Sequence, residues 1–332
     1  MTILARSRNR QRRGIIGMED STLFEFAKTN LPSQICPLSQ NPINDPAIMH
    51  RDLSDNWPSA LHDMRDDRLS NIMIVDSRSR NHYYSKLKKM SITIAFSGGL
   101  DSATLLHWSA NLFGSVNALT FTYGQRHAVE VDCATDYIKS VRAELSDKFD
   151  CKIDHSVVAM DVINHLAASS LTRSTIEPPA NQSIDEMTSK IPNTFVPGRN
   201  VYFMTALAQV AYAKGSRHIG MGVNVLDYSG YPDCRPEFIC KMREALAIGV
   251  FNGMDIGVHA PLMFLNKVNI IRLGESLGVK YSMTHSCYQG VKGGCGTCDS
   301  CILRRAAFAK LGKVDPSIPH CSNGASDELL PE

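Results

Sequence analysis

The hexapeptide Ser97-Gly98-Gly99-Leu100-Asp101-Ser102 stands between a short apolar run, residues 91–96, and a helix-forming stretch, residues 101–112. Two adjacent glycines let the backbone turn tightly and approach a ligand with no Cβ in the way. The free N–H groups of a helix start, with the hydroxyls of Ser97 and Ser102, then form a site for an anion. The hexapeptide holds no lysine, so it is not the loop that grips β and γ phosphates, and it lacks the third glycine of the dinucleotide fingerprint. A carboxylate inside an anion loop repels phosphate unless a cation intervenes. Asp101 is therefore cast as a Mg2+ partner.

Outward from this loop the alternation repeats. Residues 116–121 and 152–160 read as strands, and residues 128–145 as a long amphipathic helix. After a polar, Pro-containing insertion at 169–193 come a helix over 200–214, a strand over 218–223, a helix over 236–250, a strand over 256–259 and a helix over 267–277. Such alternation predicts an α/β fold, an open parallel sheet with helices on both faces. Its ligands lie outside the carboxyl ends of the strands. The expected division is a mostly irregular extension over 1–90, with a short helix near 21–29, then an α/β domain over 91–280. A Cys-rich segment over 281–312 and a tail over 313–332 complete it.

A chain 43% hydrophobic and 20% charged is neither collagen-like, fully disordered nor coiled coil. The longest near-apolar run, residues 201–213, is too short for a membrane span of about 20 residues and predicts a buried helix. A net charge of +2 makes no global case for nucleic acid, and residues 91–332 carry 21 basic against 23 acidic side chains. The first thirteen residues hold five arginines and no acid, as a transit peptide or nucleic-acid arm does. A frayed tail, or sequence ahead of a start at Met90, is the expectation there. Ten cysteines suit a reducing, cytoplasmic setting, where clustered thiols bind metal more often than they form disulfides.

Four of those cysteines, Cys287, Cys295, Cys298 and Cys301, are separated by seven, two and two residues. Gly290, Gly293, Gly294 and Gly296 supply the turns that fold four thiolates around one point. The set predicts one closed, structural Zn2+ site with no open position for water. An iron–sulfur cluster suits the same ligands, and a CxxC redox pair suits a cluster of four less well.

The hexapeptide resembles the pyrophosphatase-type loop of enzymes that cleave ATP between the α and β phosphates, among them GMP synthetase, asparagine synthetase and several tRNA-thiolating enzymes. Four further stretches sharpen the resemblance: Phe121-Thr122-Tyr123-Gly124-Gln125-Arg126-His127, Thr194-Phe195-Val196-Pro197-Gly198-Arg199-Asn200, Asp227-Tyr228-Ser229-Gly230-Tyr231-Pro232-Asp233-Cys234-Arg235-Pro236, and Ser286-Cys287-Tyr288. With the loop and the quartet they resemble the 7-cyano-7-deazaguanine synthase family over residues 91–310 or so. Residues 1–90 have no counterpart in it, and residues 174–193 match weakly.

The resemblance implies an adenine nucleotide alpha-hydrolase-like fold. It implies an ATP segment made of Phe96, Ser97, Gly98, Gly99, Leu100, Asp101, Ser102, Ala103, Thr104, Leu105 and Leu106. It implies a nitrile-forming ligase that joins 7-carboxy-7-deazaguanine and ammonia through adenylated intermediates in queuosine biosynthesis. Its partners are then small molecules, with no nucleic acid or membrane and a possible homodimer. Asp101, Arg199 and His127 are the catalytic candidates. Arg199 suits a phosphate or the substrate carboxylate through its paired donors. His127 is either a base for ammonium or a helix-start residue. Gln125, Arg126, Asp227, Tyr228, Asp233 and Lys267 are candidate substrate contacts. Asp227 or Asp233 would accept from N1–H and the 2-amino group of the deazaguanine, although Asp233 is also placed to cap the helix opening at Pro236. Lys267 either reaches a phosphate or stays solvated. Two alternatives remain: a tRNA-thiolating enzyme of the same loop class, and a zinc-module nucleic-acid binder.

Overall fold

The computed structural model describes residues 85–124, 129–166, 169–172, 175–176, 191–225 and 231–317. The arginine-rich start, the helix expected near 21–29, and Gln125, Arg126, His127, Asp227 and Tyr228 lie outside the described residues.

Five parallel strands, β1 (Ser91–Ala95), β2 (Ser115–Thr122), β3 (Lys152–Ala159), β4 (His218–Gly220) and β5 (Gly257–His259), form one sheet in the order β3-β2-β1-β4-β5. Ile92 lies beside Val116 on one side, while Thr93 lies beside Ile219 on the other. Strand order therefore reverses at β1, which opens a crevice above the carboxyl ends of β1 and β4. β4 is shorter than residues 218–223 because β5 offers it only three partners and the chain beyond Met221 departs toward helix α1, passing Asp101.

Alternation along β2 shows why both faces must be covered. Val116 and Ala118 join one apolar cluster, and Leu119 and Phe121 join another. Helices α1 (Leu100–Leu112) and α2 (Val129–Phe149) pack on the first face. The short α3 (Asp161–Leu166) follows β3. Helices α4 (Arg199–Ala213) and α5 (Pro236–Gly249) cover the second face. Helix α6 (Lys267–Leu277) packs on α1, and α7 (Asp299–Lys310), which sequence periodicity did not suggest, packs on α6. Helix α1 is buried on nearly every side, Trp108 included, because sheet, α2 and α6 surround it.

The packed unit reaches back past the expected start at residue 91. Leu87 is buried in the first cluster. Lys88 Nζ donates to the carbonyls of Ala110 (3.1 Å), Phe113 (3.4 Å) and Phe149, so one ammonium closes the carboxyl ends of both α1 and α2. Among the described residues no helix is long and apolar enough to cross a membrane.

Candidate active site

The hexapeptide sits at the crevice, on the turn from β1 into α1. Gly98 has φ of +77°, and a Cβ placed there would lie 2.8 Å from the Cα of Ala134 in α2. Gly99 caps α1 in extended conformation with no side-chain bond to the helix. Internal hydroxyls meet the donors left free. Ser97 Oγ accepts from Gly99 N–H at 3.4 Å, and Ser286 Oγ accepts from Leu100 N–H at 3.4 Å. Ser102 Oγ lies 3.1 Å from Ser97 Oγ.

Asp101, in the first turn of α1, receives both of its bonds from Lys267 Nζ, at 2.8 and 3.0 Å. The structure thus pairs two sequence candidates that lie on different helices. Lys267 is positioned because Asn266 caps α6, its side chain accepting from Asn269 N–H at 2.9 Å. A metal ion on Asp101 would displace this ammonium.

A second cluster surrounds Arg199, the first residue of α4. Tyr123 hydrogen-bonds it, the Tyr231 ring lies 5.9 Å from its Cζ, and the Asp233 carboxylate is in its field. Burial pulls the Arg199 pKa down, but these groups outweigh burial and raise it, so the guanidinium stays charged. Its Nε is buried with no hydrogen-bond partner among the described residues. Asp233 is itself buried, which raises its pKa against the pull of Arg199. The helix at Pro236 has no side-chain cap. Asp233 instead accepts from Asn200 N–H at 3.3 Å, capping the neighbouring α4. The capping expectation was right in kind but named the wrong helix, because the turn at Pro232–Cys234 aims the carboxylate at α4.

Sequence reasoning missed Glu130. It lies one turn before Ala134 on the same face of α2, beside Arg199 and Cys287. Burial pushes its carboxyl up to about 7; Arg199 opposes the rise and Cys287 adds to it. An acid in the first turn of a helix is usually a dipole complement, so nothing in the sequence separated it from that role.

Cys287, Cys295, Cys298 and Cys301 converge with ligand atoms all within 4.8 Å of one another. A tetrahedron with bonds of about 2.3 Å has edges of about 3.8 Å, so the set fits one metal ion with little movement. Cys295 Sγ accepts backbone N–H from Thr297 (3.4 Å) and Cys298 (3.3 Å), and Cys287 Sγ accepts from Cys295 N–H (3.3 Å). Such donors stabilise thiolates. Hydrogen bonds from Cys298 and Cys301 pull the Cys287 pKa down. All four glycines of the segment have positive φ, from 64° to 90°. The segment reaches both halves of the crevice: Ser286 touches the hexapeptide, and Tyr288 hydrogen-bonds Tyr231.

Residues 91–312 match the model of the family described as queuosine biosynthesis protein QueC. A 7-cyano-7-deazaguanine synthase of Nostoc punctiforme is 42% identical over 69% of this chain and 99% of its own length. The enzyme of the same name from Thermoplasma acidophilum is 39% identical over 69% of this chain and 92% of its own. That of Chromobacterium violaceum is 38% identical over 69% and 93%. Identity at this level over nearly the full length of such relatives places the chain among them: it belongs to the QueC family of queuosine biosynthesis proteins.

Proposed function

We propose that this chain converts 7-carboxy-7-deazaguanine, ammonia and ATP into 7-cyano-7-deazaguanine, with release of AMP and pyrophosphate. The observation that carries the reading is the buried Arg199, whose Nε has no hydrogen-bond partner among the described residues, in a sheet whose strand order reverses at the strand leading into the hexapeptide. Buried donors are almost always satisfied, so a planar anion from the substrate is the natural occupant.

The substrate carboxylate, held by Arg199, attacks the α-phosphorus of ATP, and the bond to pyrophosphate breaks. Ammonia attacks the acyl carbon, loses a proton and expels AMP to leave an amide. The amide oxygen attacks the α-phosphorus of a second ATP, the bond to a second pyrophosphate breaks, and loss of AMP and both N–H protons leaves the nitrile. Each step exchanges a poor leaving group for AMP, so the residues chiefly position reactants and stabilise charge. The helix start at Gly99 and Leu100, with Ser97 and Ser102, holds phosphate oxygens, and Lys267 moves from Asp101 onto them. Asp101 would hold Mg2+, which neutralises phosphate charge. The quartet would hold Zn2+, a structural ion that shapes the loop carrying Ser286 and Tyr288. Burial of Cys287, Cys298 and Cys301 counts against a sulfur carrier, which needs an exposed thiol.

The test is incubation with ATP, Mg2+, ammonium and the 7-carboxy compound, with products read by mass spectrometry. AMP, pyrophosphate and nitrile are expected. ADP in place of AMP, or turnover of a thiol donor instead of ammonia, would overturn the proposal.

A further inference from the structure

We propose that Ser286 is a phosphate-binding residue of the nucleotide site and that Arg304, on α7, is the positioning residue that aims it. This deepens the functional reading above and rests on the hexapeptide taking nucleotide phosphate.

The argument starts from the hydroxyl. A serine oxygen offers two lone pairs and one proton. Ser286 Oγ accepts from Leu100 N–H at 3.4 Å and from Arg304 Nη1–H at 3.3 Å, which uses both lone pairs. Its proton is therefore left to donate, and no acceptor for it is present among the described residues. Ser286 is only partly buried, and it lines a small cavity with Thr284, Cys287 and Arg304. A donor fixed in this way beside the first N–H groups of α1 points a third hydrogen bond at the same anion.

Arg304 has little freedom to do otherwise. Its guanidinium is buried, with Nε donating to Asp315 Oδ2 at 2.7 Å, Nη1 to Thr284 Oγ1 at 2.7 Å and Nη2 to the carbonyl of Tyr281 at 2.9 Å. The fork is locked on three sides and lies over the Phe308 ring, and its remaining hydrogen bond goes to Ser286. A second link holds the partner loop in register: His285 N–H donates to the carbonyl of Gly98 at 2.9 Å. The bonds to Ser286 are long, so an incoming phosphate oxygen, which forms shorter charge-assisted bonds, displaces them from Leu100 N–H readily.

The test uses the full chain and Mg-ATP, with affinity by titration calorimetry, metal content by elemental analysis and melting temperature alongside. Ser286→Ala should weaken Mg-ATP binding about ten- to a hundredfold, the worth of one hydrogen bond to a charged group, with metal content and melting unchanged. Arg304→Lys keeps the charge opposite Asp315 but loses the fork, and should weaken binding to a similar extent. The double variant should be no worse than either single one, because both remove the same contact. Unchanged affinity in Ser286→Ala, or additive losses in the double variant, would overturn the proposal. Should Arg304→Lys fail to fold, Ser286→Ala decides alone, with faster hydrogen exchange at the Leu100 amide as its second expected sign and unaltered exchange as a refutation. A parent chain that binds no Mg-ATP would instead refute the functional reading beneath it.

Discussion

Replacing Gly98 by alanine should destroy nucleotide binding, while the same change at Gly99 should be tolerated. At Gly98 the new Cβ would lie 2.8 and 2.9 Å from the Cα and N of Ala134 and 3.1 Å from its Cβ. Carbon atoms rest at about 3.5–4.0 Å, so the loop must retreat from α2 by roughly 0.7 Å or more. The obstacle is helix backbone and does not swing aside. A φ of +77° adds about 1–2 kcal/mol for a residue with a side chain. Retreat also strains the 2.9 Å bond from His285 N–H to the Gly98 carbonyl, worth about 1 kcal/mol. Together these place the binding-competent loop about 3 kcal/mol above its relaxed alternative, and Mg-ATP affinity should fall about a hundredfold. At Gly99, φ is −77° and ψ 172°, open to any residue, and the new Cβ meets His285 O and Ser97 Oγ at 3.3 Å. Shifts of a few tenths of an ångström relieve that, at a cost of about 1 kcal/mol or less. Titration calorimetry on both variants decides the matter, with melting curves to show that each is folded. A Gly98→Ala chain that binds Mg-ATP like the parent would refute the reasoning, as would a reversed order of the two.

Three further outcomes are expected. Leu87→Ala should cost about 3 kcal/mol of stability and Lys88→Met about 1–3 kcal/mol, read from denaturant unfolding, since one empties a core position and the other uncaps two helices; curves matching the parent would show that residues 85–90 do not belong to the packed unit. Cys298→Ser should remove the metal and lower the melting temperature by about 20 °C or more, because structural zinc binds with roughly 10 kcal/mol or more; a variant that keeps metal, melting curve and turnover contradicts the structural role. Half-buried His218, pulled down to about 4, and buried His259, held well below the usual imidazole range, refuse protons that the unfolded chain accepts below about 6.5, burial being the first cause in both. Stability should therefore fall as pH drops from 6.5 toward 4, by up to about 1.4 kcal/mol per pH unit for each histidine, and His259→Leu should flatten that slope measurably in pH-dependent unfolding.

What the sequence made legible was local. The spacing of the cysteines, the turn after β1 and the strand–helix alternation are all read within a few residues, and the structure keeps each. What stayed hidden depends on residues far apart in the chain. Asp101 and Lys267 are 166 positions apart, and Leu100 and Ser286 are 186 apart, so no pattern of spacing joins them. The two glycines illustrate the limit best. Both read as openings for a ligand, yet Gly98 is small because α2 presses on it, and only Gly99 faces the crevice side where Ser286 lies. A sequence states that a side chain is missing and leaves unstated what fills the gap. The capping alternative for Asp233 missed in a similar way, since its bond goes to a helix that begins 34 residues before it in the chain.

The quartet then acquires a reason beyond its own chemistry. Apart from one short turn at Tyr281–Met283, residues 278–298 form no helix or strand, yet they deliver Ser286 to the phosphate loop and Tyr288 to the Arg199 cluster. Fixing a backbone costs about 1–2 kcal/mol for each residue, so ordering the stretch from 284 to 298 costs roughly 15–30 kcal/mol. The apolar cluster available to repay this consists of the cysteines and Tyr288, far too little surface for burial to do so. Hydrogen bonds to Arg304 and Gly98 fasten only one end of the stretch. A metal ion held by the four thiolates would supply about 10–16 kcal/mol at a single point between the two delivered side chains. Such a metal would close a loop that neither hydrophobic burial nor secondary structure holds, and would keep Ser286 and Tyr288 in register because one segment carries both.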